Sequence, residues 1–132
     1  MYLVDTSVWL DFFRNQSTQA VRKFEEILDG KIPFGITGLI YQEVLQGADS
    51  PRDFLQLQTY LGTQKFYHPV DPVRSYEKAA DLYFRCRREG ITIRGSIDCL
   101  IAQVAIEQKL YLLHHDRDFT KIAEVIPDLK VA

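Results

Sequence analysis

The sequence is poor in the features that mark several specialised classes of protein. It has only two cysteines among 132 residues, which is too few for a small scaffold held by disulfides, and both lie in helical patterns, where we expect reduced, partly buried thiols. No apolar run is long enough to span a bilayer. The N-terminus has no basic segment followed by an apolar one, so no signal peptide is predicted. We therefore expect a cytoplasmic protein with no membrane contact.

An excess of positive charge is also missing. Sixteen Lys and Arg residues stand against eighteen Asp and Glu residues, so the formal net charge is −2. This excludes a protein that coats nucleic acid through bulk charge. Any contact with RNA or DNA must be local, with a metal ion supplying part of the positive charge.

The sequence does contain a regular alternation of short apolar strands and amphipathic helices. The first strand is apolar with almost no polar alternation, which is typical of a strand buried on both faces of a parallel sheet. Strands are predicted at 1–5, 32–36, 65–70, 111–115 and 128–131. We expect a three-layer α/β/α fold with a mostly parallel central sheet of about five strands, formed by residues 1–132 as one domain.

Capping residues predict where several helices begin and end. Thr37 and Ser50 are expected N-caps, and Ser50 is followed by a proline in the first helical turn. Asp71 is expected to cap the next long helix, and Ser96 the helix after it. Gly30 is the expected C-terminal stop of the second helix.

Four carboxylates lie at positions where one rim of such a sheet would gather them. Asp5 ends the first strand, Asp116 follows the fourth, Asp98 lies in the first turn of a helix, and Glu43 lies within another. Ligands of open parallel sheets bind outside the carboxyl ends of the strands. Carboxylates brought together repel one another unless a divalent cation joins them, and oxygen ligands suit Mg²⁺ or Mn²⁺.

Each acid also has a simpler interpretation. Asp5 and Asp98 suit a helix N-terminus, as a cap or beside the helix dipole. Asp116 suits a turn, and Glu43 an exposed helix face. Asp118 is either a further ligand or a cap.

The neighbouring polar and aromatic residues leave similar alternatives open. Thr6, Ser7 and Ser96 are either capping hydroxyls or groups that hold the metal ligands in place. His114 and His115 point to opposite sides of a strand, so they cannot both bind one ion. The first helix is apolar nearly all round, which indicates either deep burial or a groove for a partner around Trp9, Phe12 and Phe13.

Four segments of the sequence form a recognisable set: 4–9 (VDTSVW), 43–47 (EVLQG), 96–102 (SIDCLIA) and 115–119 (HDRDF). Together they resemble the PIN-domain nucleases, and more closely the VapC family of toxin–antitoxin systems. None of them is specific alone, but they occur in the family's order and cover essentially the whole chain.

The resemblance implies a metal-dependent endoribonuclease that cleaves cellular RNA, such as tRNA or rRNA, and arrests translation. The acids matching Asp5, Glu43, Asp98 and Asp116 form the catalytic site around Mg²⁺, for which Mn²⁺ can substitute, and Asp5, Asp98 and Asp116 are the expected metal ligands. Members of the family are usually homodimers that a small cognate antitoxin protein holds inactive.

The resemblance also implies roles for two positions around these acids. The hydroxyl matching Ser7 or Thr6 supports the first aspartate, and Asp118 matches a position that is acidic in many members. Independently of the resemblance, the arginine cluster at the end of a helix suits a solvated helix end. Arg94, which lies close to Asp98 in the sequence, is the residue of this cluster that we expect to contact RNA phosphate.

Four other functions remain as alternatives. A PIN nuclease for RNA maturation would lie outside any toxin–antitoxin pair. A phospho-acceptor receiver domain would need paired acids after the first strand, and a haloacid-dehalogenase-type phosphatase a second aspartate where Ser7 stands. A purely structural interaction domain would give no reason for acids at these strand and helix ends.

Overall fold

A computed structural model describes all 132 residues, which form seven helices around a five-stranded sheet. The strands are β1 (Tyr2–Val4), β2 (Phe34–Ile36), β3 (Lys65–Phe66), β4 (Tyr111–Leu113) and β5 (Lys130–Val131). The helices are α1 (Thr6–Phe13), α2 (Gln19–Asp29), α3 (Gly38–Gln46), α4 (Pro51–Leu61), α5 (Arg74–Arg88), α6 (Ser96–Glu107) and α7 (Arg117–Val125).

All the strands are parallel, in the order β3-β2-β1-β4-β5. The chain moves from β1 in one direction across the sheet and then returns to the other side of β1. Right-handed crossovers therefore put the helices before β3 on one face and the later helices on the other. Helices α1 to α4 pack among themselves, as do α5 to α7, so the predicted three-layer fold is confirmed.

This strand order has a topological switch point between β1 and β4. From β1 the chain continues to β2 and β3 on one side, and from β4 it continues to β5 on the other side. Tyr2 pairs with Tyr111, and Val4 with Leu113. In open parallel sheets, the crevice for a ligand lies at the carboxyl ends of the strands at such a point. The residues that follow Val4 and Leu113 therefore face the expected site.

Burial accounts for part of the apolar first helix, in which Val8 and Trp9 are the buried residues. Trp9 is fully buried, and its indole N–H donates to the Val4 carbonyl at 3.1 Å. Its ring packs edge-on against Phe24, with 4.9 Å between the centroids. Of the three aromatic residues proposed for a groove, Phe13 alone is exposed, at 37%.

The capping pattern is confirmed for three helix ends and wrong for two. Thr37 and Ser50 accept backbone N–H groups as N-caps, and Gly30 is a C-cap. Helix α5 begins only at Arg74, because Asp71 accepts the N–H groups of residues 73 and 74 in a turn before it. Ser96 is not a cap either, since the helix begins one residue early and Gly95 takes that place.

All five strands are shorter than the sequence predicts, and β3 and β4 lose the most residues at their carboxyl ends. Strand β3 stops at Phe66, before His68 and Pro69, a residue with no N–H for the ladder. Strand β4 stops at Leu113, so the two histidines lie beyond the sheet. Both cysteines are buried and free, as predicted, and none of the helices combines the length and apolarity that crossing a membrane requires.

Replacing Gly35 by alanine should destabilise the fold by about 2–4 kcal/mol, because overpacking at this point would force the backbone to move. A Cβ there would lie 2.5 Å from the Lys65 carbonyl oxygen and 2.6 Å from the Tyr67 ring. Gly38→Ala is the matched control, since its Cβ meets nothing within 4 Å. Chemical denaturation would measure both variants, and equal midpoints would contradict the prediction.

Candidate active site

Asp5 is held rigidly at the end of the central strand. It caps helix α1 and is 4% exposed. Its Oδ2 accepts the backbone N–H of Ser7 at 3.0 Å and the Ser7 hydroxyl at 2.6 Å. The same hydroxyl oxygen accepts the backbone N–H of His115 at 2.9 Å. Ser7 therefore orients the Asp5 carboxylate and also joins the chain after β1 to the chain after β4.

Asp98 is the acid on which the others converge. It lies half-buried in the first turn of α6 and accepts no hydrogen bond from the protein. Burial raises its pKa to about 7, and the negative charges of the other acids add to the effect: Asp5, Asp116, Glu43 and Asp118. The acids therefore share one cleft. The negative charge of this cleft is poorly compensated around Asp98.

Burial also raises the pKa of Asp5, to about 6, against the opposing effect of its bonds from Ser7. A smaller contribution comes from repulsion by Glu43. Two neighbouring acids thus resist ionisation in the metal-free protein, which is the electrostatic condition under which a bound cation is favourable.

Glu43 reaches the cleft from helix α3. The Thr6 hydroxyl donates to its Oε1 at 2.9 Å. The two hydroxyls after Asp5 therefore act on different acids, Ser7 on Asp5 and Thr6 on Glu43. Both side chains fix an acid of the cleft, as one of the two sequence interpretations predicts.

Asp116 and Asp118 form a pair at the start of helix α7, bridged by Arg94. Asp116 Oδ1 accepts the Asp118 backbone N–H at 2.9 Å and Arg94 Nη2 at 2.8 Å. Asp118, which is 2% exposed, accepts the backbone N–H and Nε of Arg94 on its Oδ2, each at 3.1 Å. Asp118 is therefore both a neighbour of the cleft and a structural anchor for the segment before α6.

The remaining predicted residues stay outside this carboxylate group. Ser96 is exposed and its hydroxyl bonds to no acid of the cleft. The histidines diverge as expected: His114 packs on Phe119, while His115 Nδ1 lies 2.9 Å from Asp11 Oδ2.

A cavity of about 430 Å³ opens beside the acids on the side of helix α7. It combines acidic and basic groups with one imidazole: Arg94, His115, Asp116, Arg117, Asp118 and Lys121. Its cations are of the kind that contact phosphate groups.

The donor set suits a hard divalent cation, because it consists of carboxylate oxygens of which one acid has no protein partner. The geometry is not yet that of a formed site, since no group of three or more acidic, histidine or cysteine side chains is arranged to hold an ion. Ligation by Asp5, Asp98 and Asp116 together therefore stays a prediction, and it requires side-chain movement.

A model of the PIN domain matches residues 2–125 of the sequence. This chain belongs to the PIN-domain family. Two relatives are each 31% identical to it over 126 residues, which are 95% of this chain and 93% of the relative: the VapC ribonuclease Mb1587 of Mycobacterium bovis and ribonuclease VapC11 of Mycobacterium tuberculosis. Within the PIN domains, the chain therefore falls among the VapC ribonucleases.

Solved structures show the same PIN fold at lower identity. VapBC2 from Rickettsia felis, bound to a DNA fragment from its promoter, has a TM-score of 0.73 at 15% identity, covering 99% of this chain and 96% of the other. FitAcB from Neisseria gonorrhoeae gives 0.68 at 21% identity, with the same coverage. The receiver and phosphatase alternatives are therefore set aside.

The sequence did not predict the ion pairs of this PIN domain. Arg94 was assigned to RNA because it lies near Asp98, whereas its guanidinium contacts acids more than twenty residues further along. The sequence signal for this ion pair was the closely spaced Asp116 and Asp118, because two carboxylates that pack close together need a neighbouring cation.

Proposed function

We propose that this PIN domain, residues 1–132, is a Mg²⁺-dependent endoribonuclease and the toxin of a toxin–antitoxin pair. The observation that supports this best is the group of acids around Asp98 at the β1–β4 switch point. Membership of the VapC ribonucleases supplies the substrate class. Cleavage of tRNA or rRNA would arrest translation, and we propose that the protein acts in the cytoplasm.

Asp5 and Asp98 would be two of the metal ligands, with Asp116 as a third after rearrangement. Bound Mg²⁺ would lower the pKa of a water and neutralise charge on the phosphate under attack. Glu43, which accepts a hydrogen bond from Thr6, would hold the attacking water. Ser7 keeps the Asp5 carboxylate aimed into the cleft, so that no reorientation is needed during the reaction.

RNA cleavage by the purified protein tests this function directly. Total RNA should yield a small set of discrete cuts with Mg²⁺ or Mn²⁺, and none with a chelator. Mapping the new RNA ends would identify the target. Intact RNA under all metal conditions, from a folded protein, would contradict the proposal.

A small antitoxin protein is the partner that we propose for this chain. The Rickettsia and Neisseria structures to which it is similar are of VapBC2 and FitAcB. Induced expression should stop growth, and coexpression of a small gene next to this one should restore it. Continued growth on induction would favour the alternative, a PIN nuclease for RNA maturation.

A homodimer is also proposed, with an apolar groove of about 390 Å³ as one surface available to it. The groove lies between α5 and the start of α6 and includes Tyr76, Tyr83 and Ile97. We expect Tyr76→Glu to weaken the dimer in sedimentation equilibrium. Unchanged dimerisation would place the interface elsewhere.

Ser7→Ala should reduce cleavage by about 10–100-fold, the usual effect of removing a group that orients a metal ligand. The variant loses the bond to Asp5 and also the acceptor for His115. Ser17→Ala, at an exposed position before α2, is the control. Single-turnover cleavage rates would measure both, and equal rates would show that Ser7 is only a structural residue.

A further inference from the structure

We propose that Arg94 is an internal counter-cation of the metal site, which lowers metal affinity until RNA is bound. The inference rests on the proposed function, because it concerns the same cleft. It differs from a simple RNA contact, since the guanidinium already holds two acids in the absence of any substrate.

The Arg94 guanidinium donates hydrogen bonds to both Asp116 and Asp118. Asp116 Oδ1 and Asp118 Oδ2 each accept two donors, one of them from the Arg94 guanidinium. The interacting acids in turn hold the pKa of Arg94 above its usual range. Two of the five acids around the cleft are thus compensated by one cation, whereas Asp98 is compensated by none.

A metal ion bound by Asp116 would lie close to the Arg94 guanidinium. The two cations repel each other, and they compete for the same negative charge. Arg94 can leave easily, because its side chain is 73% exposed and is anchored only by these pairs. Asp118 would keep the Arg94 backbone N–H as a donor after the guanidinium has left.

RNA offers Arg94 an alternative partner. A phosphodiester accepts the planar guanidinium fork in the same bidentate manner as a carboxylate. The exposed guanidinium faces the cavity that also holds Arg117 and Lys121. A phosphate entering there would draw Arg94 from Asp116, and so complete the metal site only when substrate is present.

Mn²⁺ binding to the metal-free protein, without RNA, tests the proposal. Calorimetric titration at pH 8 should show that Arg94→Ala binds Mn²⁺ about tenfold more tightly than the unsubstituted protein, a magnitude reduced by solvent screening. Arg94→Gln should behave in the same way, and Arg94→Lys, which retains the charge, should show a smaller gain. Lys121→Ala is the matched control, because Lys121 lines the same cavity without an ion pair to the acids.

The possible results separate clearly. Unchanged or weaker Mn²⁺ binding by folded Arg94→Ala and Arg94→Gln would overturn the proposal and show that Arg94 instead holds Asp116 in place for the metal. An equal gain in Lys121→Ala would also overturn it, since the effect would then be general surface charge. Absence of Mn²⁺ binding in every protein would reject the metal-dependent function as well. Circular dichroism melts would establish that each variant is folded.

Discussion

Asp5→Asn should lower RNA cleavage by about a thousandfold or more and leave the fold intact. Asparagine retains an oxygen that can accept the two hydrogen bonds from Ser7, so the start of α1 should be preserved. It loses the negative charge that a metal ligand supplies at the centre of the site. Cleavage of a mapped RNA substrate under single-turnover conditions is the measurement.

Asp11→Asn is the control for this substitution. Asp11 also lies in α1 and also bonds to a residue after β4, His115, but it is outside the carboxylate group. Its cleavage rate should change by less than about tenfold, since no metal ligand is lost. An active Asp5→Asn protein with normal metal dependence would refute the assignment.

Asp98→Asn should make the metal-free protein more stable at pH 8. Burial and four neighbouring acids raise the folded-state pKa of Asp98 to about 7, well above its ordinary value. The folded state therefore binds this proton more tightly than the unfolded state. Its contribution to stability is complete at pH below about 4 and is lost as the pH rises through 7.

The pH dependence of the free energy of unfolding measures this effect. Asp98 is partly exposed, so solvent screening leaves about 1–2 kcal/mol of destabilisation at pH 8. Asp5, with its pKa near 6, should add to the decline at lower pH. Asp98→Asn should flatten the decline between about pH 4 and 7. Asp29→Asn, at an exposed position at the end of α2, should leave it unchanged.

Mg²⁺ should restore the folding stability that is lost at pH 8, because an ion that binds only the folded protein stabilises it. The melting temperature at pH 8 should rise with Mg²⁺ concentration in the unsubstituted protein and stay constant in Asp98→Asn. Equal slopes in the two proteins would mean that Mg²⁺ binds elsewhere.

The fold and the position of the acids were predictable because they follow from local patterns. An apolar strand without alternation ends at Asp5, and the regular alternation of later strands with helices predicts a parallel sheet. The carboxyl ends of parallel strands share one edge, which brought Asp5 and Asp116 together without any knowledge of the intervening loops.

The details that escaped prediction depend on tertiary contacts or on one residue of helix register. Gly95, and not Ser96, is the N-cap of α6. No residue pattern in the sequence distinguishes these two positions as the start of the helix. The pairing of Arg94 with Asp118 arises because α6 and α7 pack together. The division of Thr6 and Ser7 between two acids likewise requires the position of α3.

A crystal soaked in Mn²⁺ and measured at the manganese absorption edge would show whether the acids of the cleft bind a divalent cation. We predict an anomalous peak within about 2–2.5 Å of carboxylate oxygens from both Asp5 and Asp98. A peak only at other side chains, or none at a Mn²⁺ concentration that supports RNA cleavage, would contradict this prediction.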